Sequence, residues 1–110
     1  MLPRLRVVTG DEIALGPGKA DLLALVGETG SIREAASRLD MSYMRAWKLI
    51  QTMNTCFRDP VVVTERGGHV RGGAKLTETG VKALSLYRQM EQTCLQNTEP
   101  DWKELSGLLR

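Results

Sequence analysis

Residues 30–57 read GSIREAASRLDMSYMRAWKLIQTMNTCF, and this stretch decides the predicted fold. Ser31 and Glu34 form a capping box, in which the serine hydroxyl accepts from the Glu34 amide and the carboxylate reaches back to the Ser31 amide. One helical face then carries apolar residues at positions 32, 35, 36 and 39. After a short break at residues 40–41, Ser42 is a good N-cap for the next helix.

The helix that follows Ser42 has two different faces. The face that we expect to be buried carries Tyr43, Ala46, Trp47, Ile50, Met53 and Phe57. The opposite face is polar and carries Arg45, Lys48, Gln51, Thr52 and Thr55. Two helices joined by so few residues are typical of a helix-turn-helix motif.

The flanking segments alternate between strand and helix patterns. Upstream, apolar residues at spacing two predict a short hairpin before residue 16, and a helix follows over about residues 18–28, stopped by Gly27 and Gly30. Downstream, the β-branched run at residues 61–65 predicts a strand, and residues 66–75 form a glycine-rich loop. Thr77 caps a long helix to about Thr93, residues 97–101 break it, and residues 102–109 form a short further helix.

This order of elements is that of a winged helix-turn-helix domain. We therefore predict a mainly α fold with a small β-hairpin, in a single domain over residues 1–110. The helix-turn-helix motif occupies about residues 31–57, the wing about residues 61–77, and a long C-terminal dimerisation helix about residues 78–95.

Composition indicates an ordinary globular chain, with 42% apolar and 25% charged residues. No apolar run is long enough for a transmembrane helix, and the N-terminus lacks a secretory pattern, so we expect a cytoplasmic protein without a membrane partner. Cys56 and Cys94 show no repeated spacing, which favours two reduced thiols and leaves a redox switch as the alternative.

The net charge is only +2, but residues 33–82 hold nine Lys or Arg and five Asp or Glu. This part of the chain is the candidate anion-binding face.

The polar face of the third helix suits double-stranded DNA. Ser42 and the free amides behind it can hold a phosphate, and Arg45 and Lys48 lie one turn apart, where either can reach guanine O6 and N7. Gln51 and Thr52 lie further along, against a base or the backbone. The remaining candidates are Ser31, on the phosphate backbone, and Tyr43, whose spacing with Trp47 favours the core. The alternative is that the cations form only a solvated helix face.

The glycine-rich loop contains neither G-x-x-x-x-G-K-[ST] nor G-x-G-x-x-G, so a nucleotide cradle is not expected. As a wing, its glycines allow close approach to a phosphate chain, and Arg66, Arg71 and Lys75 supply charge. His69, the only histidine, is expected to face phosphate or solvent. The alternative is a plain mobile turn. Because no base accompanies a nucleophile and no ligand cluster is present, we predict no enzyme, no metal and no cofactor.

The long helix after Thr77 is apolar on more than one side, whereas a surface helix needs only one apolar face. This excess predicts that one face packs on the domain and another on a partner subunit, in a homodimer that binds two half-sites. The candidate dimerisation residues are Leu84, Leu86, Tyr87, Met90 and Cys94. The alternative is a helix buried within one monomer.

Several of these motifs together resemble the DNA-binding domain of ModE-type molybdate-responsive transcriptional regulators. They are GSIREAASRL at residues 30–39, MSYMRAWKLI at 41–50, VVTERGG at 62–68 and GGAKLT at 72–77, and the resemblance covers about residues 5–92. LysR-type regulators share a similar first half. The resemblance implies a winged helix domain that dimerises through its terminal helices and holds DNA with its third helix and wing.

Two features depart from that family pattern. Residues 69–71 interrupt what is often an almost continuous glycine run in the wing. Full-length members also carry C-terminal molybdate-binding domains, for which a chain ending at Arg110 leaves no room, so we expect no molybdate site here. The predicted function is that of a sequence-specific DNA-binding transcriptional regulator acting as a homodimer. The alternative is a winged-helix protein-interaction module that does not bind DNA.

Overall fold

The computed structural model describes residues 1–65 and 73–110. Within them, four helices and two small hairpins follow one another along the chain, which confirms the mainly α prediction. The elements are β1 (Val7–Thr9), β2 (Glu12–Leu15), α1 (Pro17–Thr29), α2 (Ile32–Arg38), α3 (Tyr43–Cys56), β3 (Val62–Thr64), β4 (Ala74–Leu76) and α4 (Glu78–Ser106).

The N-terminal hairpin and α1 form as the sequence predicts, with one exception at the end of α1. Strands β1 and β2 are antiparallel, and Gly30 ends α1 with φ +72° while its amide donates to the carbonyl of Val26 at 2.9 Å. Gly27 does not stop the helix as expected. It lies inside α1, and a Cβ placed there would stand 3.1 Å from Cδ1 of Leu76, so the missing side chain makes room for β4.

The two serine caps predicted at the starts of α2 and α3 are formed. Ser31 accepts a hydrogen bond from the Glu34 amide at 3.1 Å, and Ser42 accepts from the Arg45 amide at 3.1 Å. The reciprocal half of the predicted capping box is wrong, because the Ser31 amide donates instead to Oγ1 of Thr29 at 3.2 Å. Between the helices, the backbone reverses at Asp40 with φ +58°, a left-handed conformation that aspartate tolerates better than most residues.

A single apolar core joins all the helices to the second hairpin. Its largest fully buried side chains are Leu22, Leu23, Val26, Ile50, Met53, Val61 and Tyr87. The buried stripe of α3 is narrower than predicted, because the domain covers only one side of this helix. Trp47 is 38% exposed, and Tyr43 and Phe57 are only partly buried.

The hairpin of β3 and β4 is tied to the turn between α1 and α2 through the loop-side end of β4. The strands are antiparallel, with Val62 opposite Leu76 and Thr64 opposite Ala74. The Ala74 amide donates to the carbonyl of Gly30 at 2.9 Å, and Ser31 forms an isolated bridge with Gly73. The segment that precedes α2 therefore holds one strand of the hairpin in place.

Helix α4 is longer than predicted. It is continuous from Glu78 to Ser106, so the break expected at residues 97–101 and the separate short helix after it are wrong. Pro100 lies inside the helix, where it lacks a backbone N–H and so removes one helical hydrogen bond. The first part of α4 packs against α1 and β4, and the described structure measures 58 Å in its longest dimension.

Candidate nucleic-acid interface

The outer face of α3 brings together most of the side chains predicted to meet DNA. One shallow groove is lined by Ser42, Met44, Arg45, Lys48, Leu49 and Thr52. Gln51 is exposed on the same helix but does not line this groove. Arg45 and Lys48 point outward together because they are three residues apart on α3, whose other side is buried.

The cations of this groove have no internal partner within the described part of the chain. No carboxylate there lies within 4.0 Å of the charged groups of Arg45 or Lys48. By contrast, Arg38 is paired with Glu28 at 3.3 Å. Because unpaired exposed cations keep their full charge for a ligand, the groove suits a polyanion.

A second set of polar residues lies at the start of α2. Ser31 lines a shallow groove with Arg33, Glu34, Ser37 and Arg38. The Ser31 hydroxyl already accepts a hydrogen bond from the Glu34 amide, so its O–H group would donate to a ligand. Tyr43 lies nearby, with the guanidinium of Arg33 over its ring at 4.9 Å from the ring centroid. Arg33 was not among the residues predicted to bind DNA, although the sequence of residues 30–57 places an arginine on the polar side of α2.

The hairpin supplies one described cation. Lys75 on β4 is exposed, and its Nζ lies 3.9 Å from Oε1 of Glu65, a long contact between exposed groups that contributes little. The other predicted wing residues, Arg66, His69 and Arg71, lie outside the described residues.

Asn54 connects α3 to the hairpin and was also missed from the sequence. Its Oδ1 accepts from the amides of Val61 at 2.8 Å and Val62 at 3.2 Å, and its Nδ2 donates to the carbonyl of Val62 at 3.0 Å. The available signal was a carboxamide four residues after Ile50, on the apolar side of the helix, where a polar group needs a partner. Asn54 thereby sets the start of β3 relative to the groove on α3.

The candidate dimerisation residues do not share one environment. Leu86 and Met90 are 49% and 48% exposed, and with Cys94 they line a shallow groove whose other residues are Leu5, Gln89 and Thr93. Leu84 packs partly against the core. Tyr87 is 1% exposed, and its hydroxyl donates to the carbonyl of Leu5 at 2.7 Å. The expectation that Tyr87 faces a partner is therefore wrong, because the side chain is buried within its own domain.

Two perturbed groups lie where α4 meets the rest of the domain. Burial, and then the nearby negative charge of Glu91, raise the pKa of Tyr87 above 10.0. Arg88 donates to Asp21 at 2.9 Å and to Glu91 at 3.1 Å, and the hydrogen bond to Asp21 contributes most to raising its pKa. These contacts fasten α1 to α4 and are structural.

Residues 1–65 and 73–110 contain neither a candidate metal site nor a membrane-spanning helix. No group of three or more His, Cys, Asp or Glu side chains is placed to hold a metal ion. No helix among these residues is both long and apolar enough to cross a membrane.

Several known proteins are similar in sequence to this chain. No protein-family model matches the chain. The molybdenum transport protein ModE of Azotobacter vinelandii is 34% identical over 109 residues, which is 96% of this chain and 40% of that protein. The molybdenum-pterin-binding protein MopB of Rhodobacter capsulatus is 42% identical over 77 residues, which is 70% of this chain and 28% of that protein.

A third relative, the DNA-binding transcriptional dual regulator ModE of Escherichia coli K12, is 34% identical over 76 residues, which is 69% of this chain and 29% of that protein. The chain thus spans well under half the length of these relatives. Their names are those of transcriptional regulators and molybdenum-binding or transport proteins rather than enzymes. The chain is therefore similar to part of proteins named as transcriptional regulators, and these relatives carry the name ModE.

Proposed function

We propose that this chain is a winged helix-turn-helix transcriptional regulator that binds double-stranded DNA as a homodimer. The observation that carries the proposal is the groove on α3, where Arg45 and Lys48 stand beside the capped helix start without an ion-pair partner among the described residues. Relatives named as transcriptional regulators support the same class.

In this proposal α3 enters the major groove. Arg45 and Lys48 meet base edges, because each can donate to guanine O6 and N7. Gln51 and Thr52 contact a base or the backbone further along the helix. Ser42 holds a phosphate at the helix start, where the free amides also point.

The flanking contacts go to the phosphate backbone. Ser31 lies before α2, and Lys75 lies on the hairpin that we interpret as the wing. The proposed wing contacts of Arg66, His69 and Arg71 rest on their residue types alone. Such contacts set the position of the protein on the duplex without reading its sequence.

The proposed partner surface is the apolar strip on α4. Leu86, Met90 and Cys94 are accessible in one groove, whereas Leu84 and Tyr87 are turned toward the core and are left out of it. A two-fold pairing of this strip would present two copies of α3 to two half-sites.

The test is a binding titration on genomic fragments, including the promoter beside the gene for this protein, at two salt concentrations. We expect tight binding to a few fragments that survives competitor DNA and weakens steeply with salt. The double charge reversal Arg45→Glu with Lys48→Glu should abolish it. Lys103→Glu with Arg110→Glu, on exposed positions outside residues 33–82, changes the net charge equally and is the matched control.

Two results would contradict the proposal. One is weak, uniform binding that disappears at moderate salt, since this would indicate only a basic surface. The other is equal loss of binding in the two double reversals, since net charge rather than the α3 groove would then explain the affinity. Either result would favour a protein-interaction module over a DNA-binding regulator.

A further inference from the structure

Arg33 lies in the first turn of α2, beside the start of α3, and is not among the residues of the proposed interface. Its guanidinium lies over the Tyr43 ring, 4.9 Å from the centroid. Among residues 1–65 and 73–110, no carboxylate comes within 4.0 Å of this guanidinium, although Glu34 is its neighbour in the chain. The charge is therefore held in place without being neutralised.

Contact with an aromatic face orients the guanidinium and leaves it able to bind a ligand. A ring attracts a cation lying over its face, and the five N–H donors of arginine lie in the guanidinium plane, along its edges. Planar donors of this kind match the oxygens of a phosphate. Because the ring already restricts the side chain, less conformational freedom is lost on binding.

The position of Arg33 extends the cationic surface of α3 onto α2. Arg33 lines both the groove that contains Ser31 and the groove that contains Asp40 and Tyr43. Tyr43 directly follows Ser42, which lines the groove of Arg45 and Lys48. Arg33 is thus shared by two of these grooves, and the second of them includes the residue that follows Ser42 of the α3 groove.

We propose that Arg33, held over the ring of Tyr43, binds a backbone phosphate of DNA next to the bases that α3 reads. This inference rests on the proposed function and adds a residue to it. Tyr43 then acts as a positioning residue for Arg33, and its own contact with a base is not required.

The test compares Arg33→Gln with the wild-type chain on the fragment bound most tightly. The slope of log K against log salt is negative, and loss of one phosphate contact should make it shallower by about 0.9 and weaken binding roughly eightfold at 0.1 M salt. Lys103→Gln, which also removes one exposed positive charge but lies near the far end of α4, should leave the slope unchanged. Arg33→Lys keeps the charge without the planar contact and should give an intermediate slope.

The role of Tyr43 is tested through its coupling to Arg33. Tyr43→Phe keeps the ring and should keep the wild-type slope, whereas Tyr43→Leu should make the slope shallower. In the Arg33→Gln background, Tyr43→Leu should add little, because both changes remove the same contact. Thermal unfolding of each variant without DNA shows whether Tyr43→Leu is folded. If it is not folded, Tyr43→Phe still tests the role of the ring, and a changed slope in that variant would contradict the proposal.

The possible failures are distinguishable. If the wild-type chain binds no fragment specifically, the proposed function and this inference are both refuted. If the wild type binds and Arg33→Gln has the slope of Lys103→Gln, only the inference about Arg33 is refuted. Additive effects of the Arg33 and Tyr43 changes would refute the positioning role of the ring.

Discussion

Gly80→Ala should destabilise the domain, although replacing glycine by alanine inside a helix normally stabilises it. A Cβ at position 80 would stand 2.1 Å from the carbonyl oxygen of Val61 and 3.0 Å from its carbonyl carbon. Both are backbone atoms, so no side-chain rotation relieves the overlap. The start of α4 must instead move away from Val61 by about 1 Å or more, since ordinary contacts begin near 3.5 Å.

That movement would disturb three hydrogen bonds at the same place. The Thr77 amide donates to the carbonyl of Val61 at 3.0 Å, its hydroxyl donates to the carbonyl of Pro60 at 2.6 Å, and the Gly80 amide donates to Oγ1 of Thr77 at 2.9 Å. Overpacking a buried site costs about 1–3 kcal/mol and loss of a helix cap about 1 kcal/mol. Alanine returns about 1 kcal/mol through its helix propensity.

The net expectation is a loss of about 1–3 kcal/mol of unfolding free energy, or about 5–20 °C in Tm. Urea unfolding of the wild-type and Gly80→Ala chains measures the loss of unfolding free energy. Gly18→Ala in α1 is the matched control, because nothing lies within 4 Å of a Cβ there. It should stabilise by up to about 1 kcal/mol. A Gly80→Ala chain as stable as the Gly18→Ala chain would refute the close approach of α4 to Val61.

Three other predictions concern the contacts that position the interface. Asn54→Ala should cost about 2–4 kcal/mol in urea unfolding, because it leaves the amides of Val61 and Val62 without their partner, while Asn54→Asp keeps the acceptor and should cost less. Tyr87→Phe should cost about 1–2 kcal/mol by losing the hydroxyl bond. The folded-state pKa of Tyr87 is raised above 10.0. The stability that the neutral hydroxyl contributes is therefore fully present below pH 10.0 and is lost as the pH rises through the folded-state pKa. The wild type should therefore lose more stability than the Phe variant above pH 10.0, and equal pH profiles would contradict this. Leu86→Glu with Met90→Glu should give a monomer in sedimentation velocity and weaken operator binding, whereas Val81→Glu, on an exposed site outside the groove, should leave the dimer intact.

The contacts behind these predictions share one consequence for function. Asn54 fixes the start of β3 on α3, and Gly80 lets α4 approach Val61, which directly precedes β3. The Arg88 contacts hold α1 against α4. The hairpin, the α3 groove and the apolar strip of α4 are therefore parts of one packed unit. In the proposed dimer, the spacing of the two α3 helices would depend on this packing.

The sequence alone was sufficient for features that depend on neighbours along the chain. Hydrophobic periodicity placed α1, α2 and α3, and the hydroxyl residues at positions 31, 42 and 77 marked the caps of α2, α3 and α4, because a cap bonds an amide only three residues away. The alternating and β-branched runs likewise located both hairpins. The polar face of α3 followed from the same periodicity, so Arg45 and Lys48 could be named together.

Only the tertiary structure decided features that depend on what packs against each face. Periodicity could not show that the domain leaves Trp47 at its edge, that Tyr87 bonds to Leu5, or that α4 continues through Pro100. Nor could it bring Arg33 over Tyr43 or Asn54 onto β3. Such contacts join residues on different elements, and their distances follow from the relative placement of helices and strands, which local pattern does not contain.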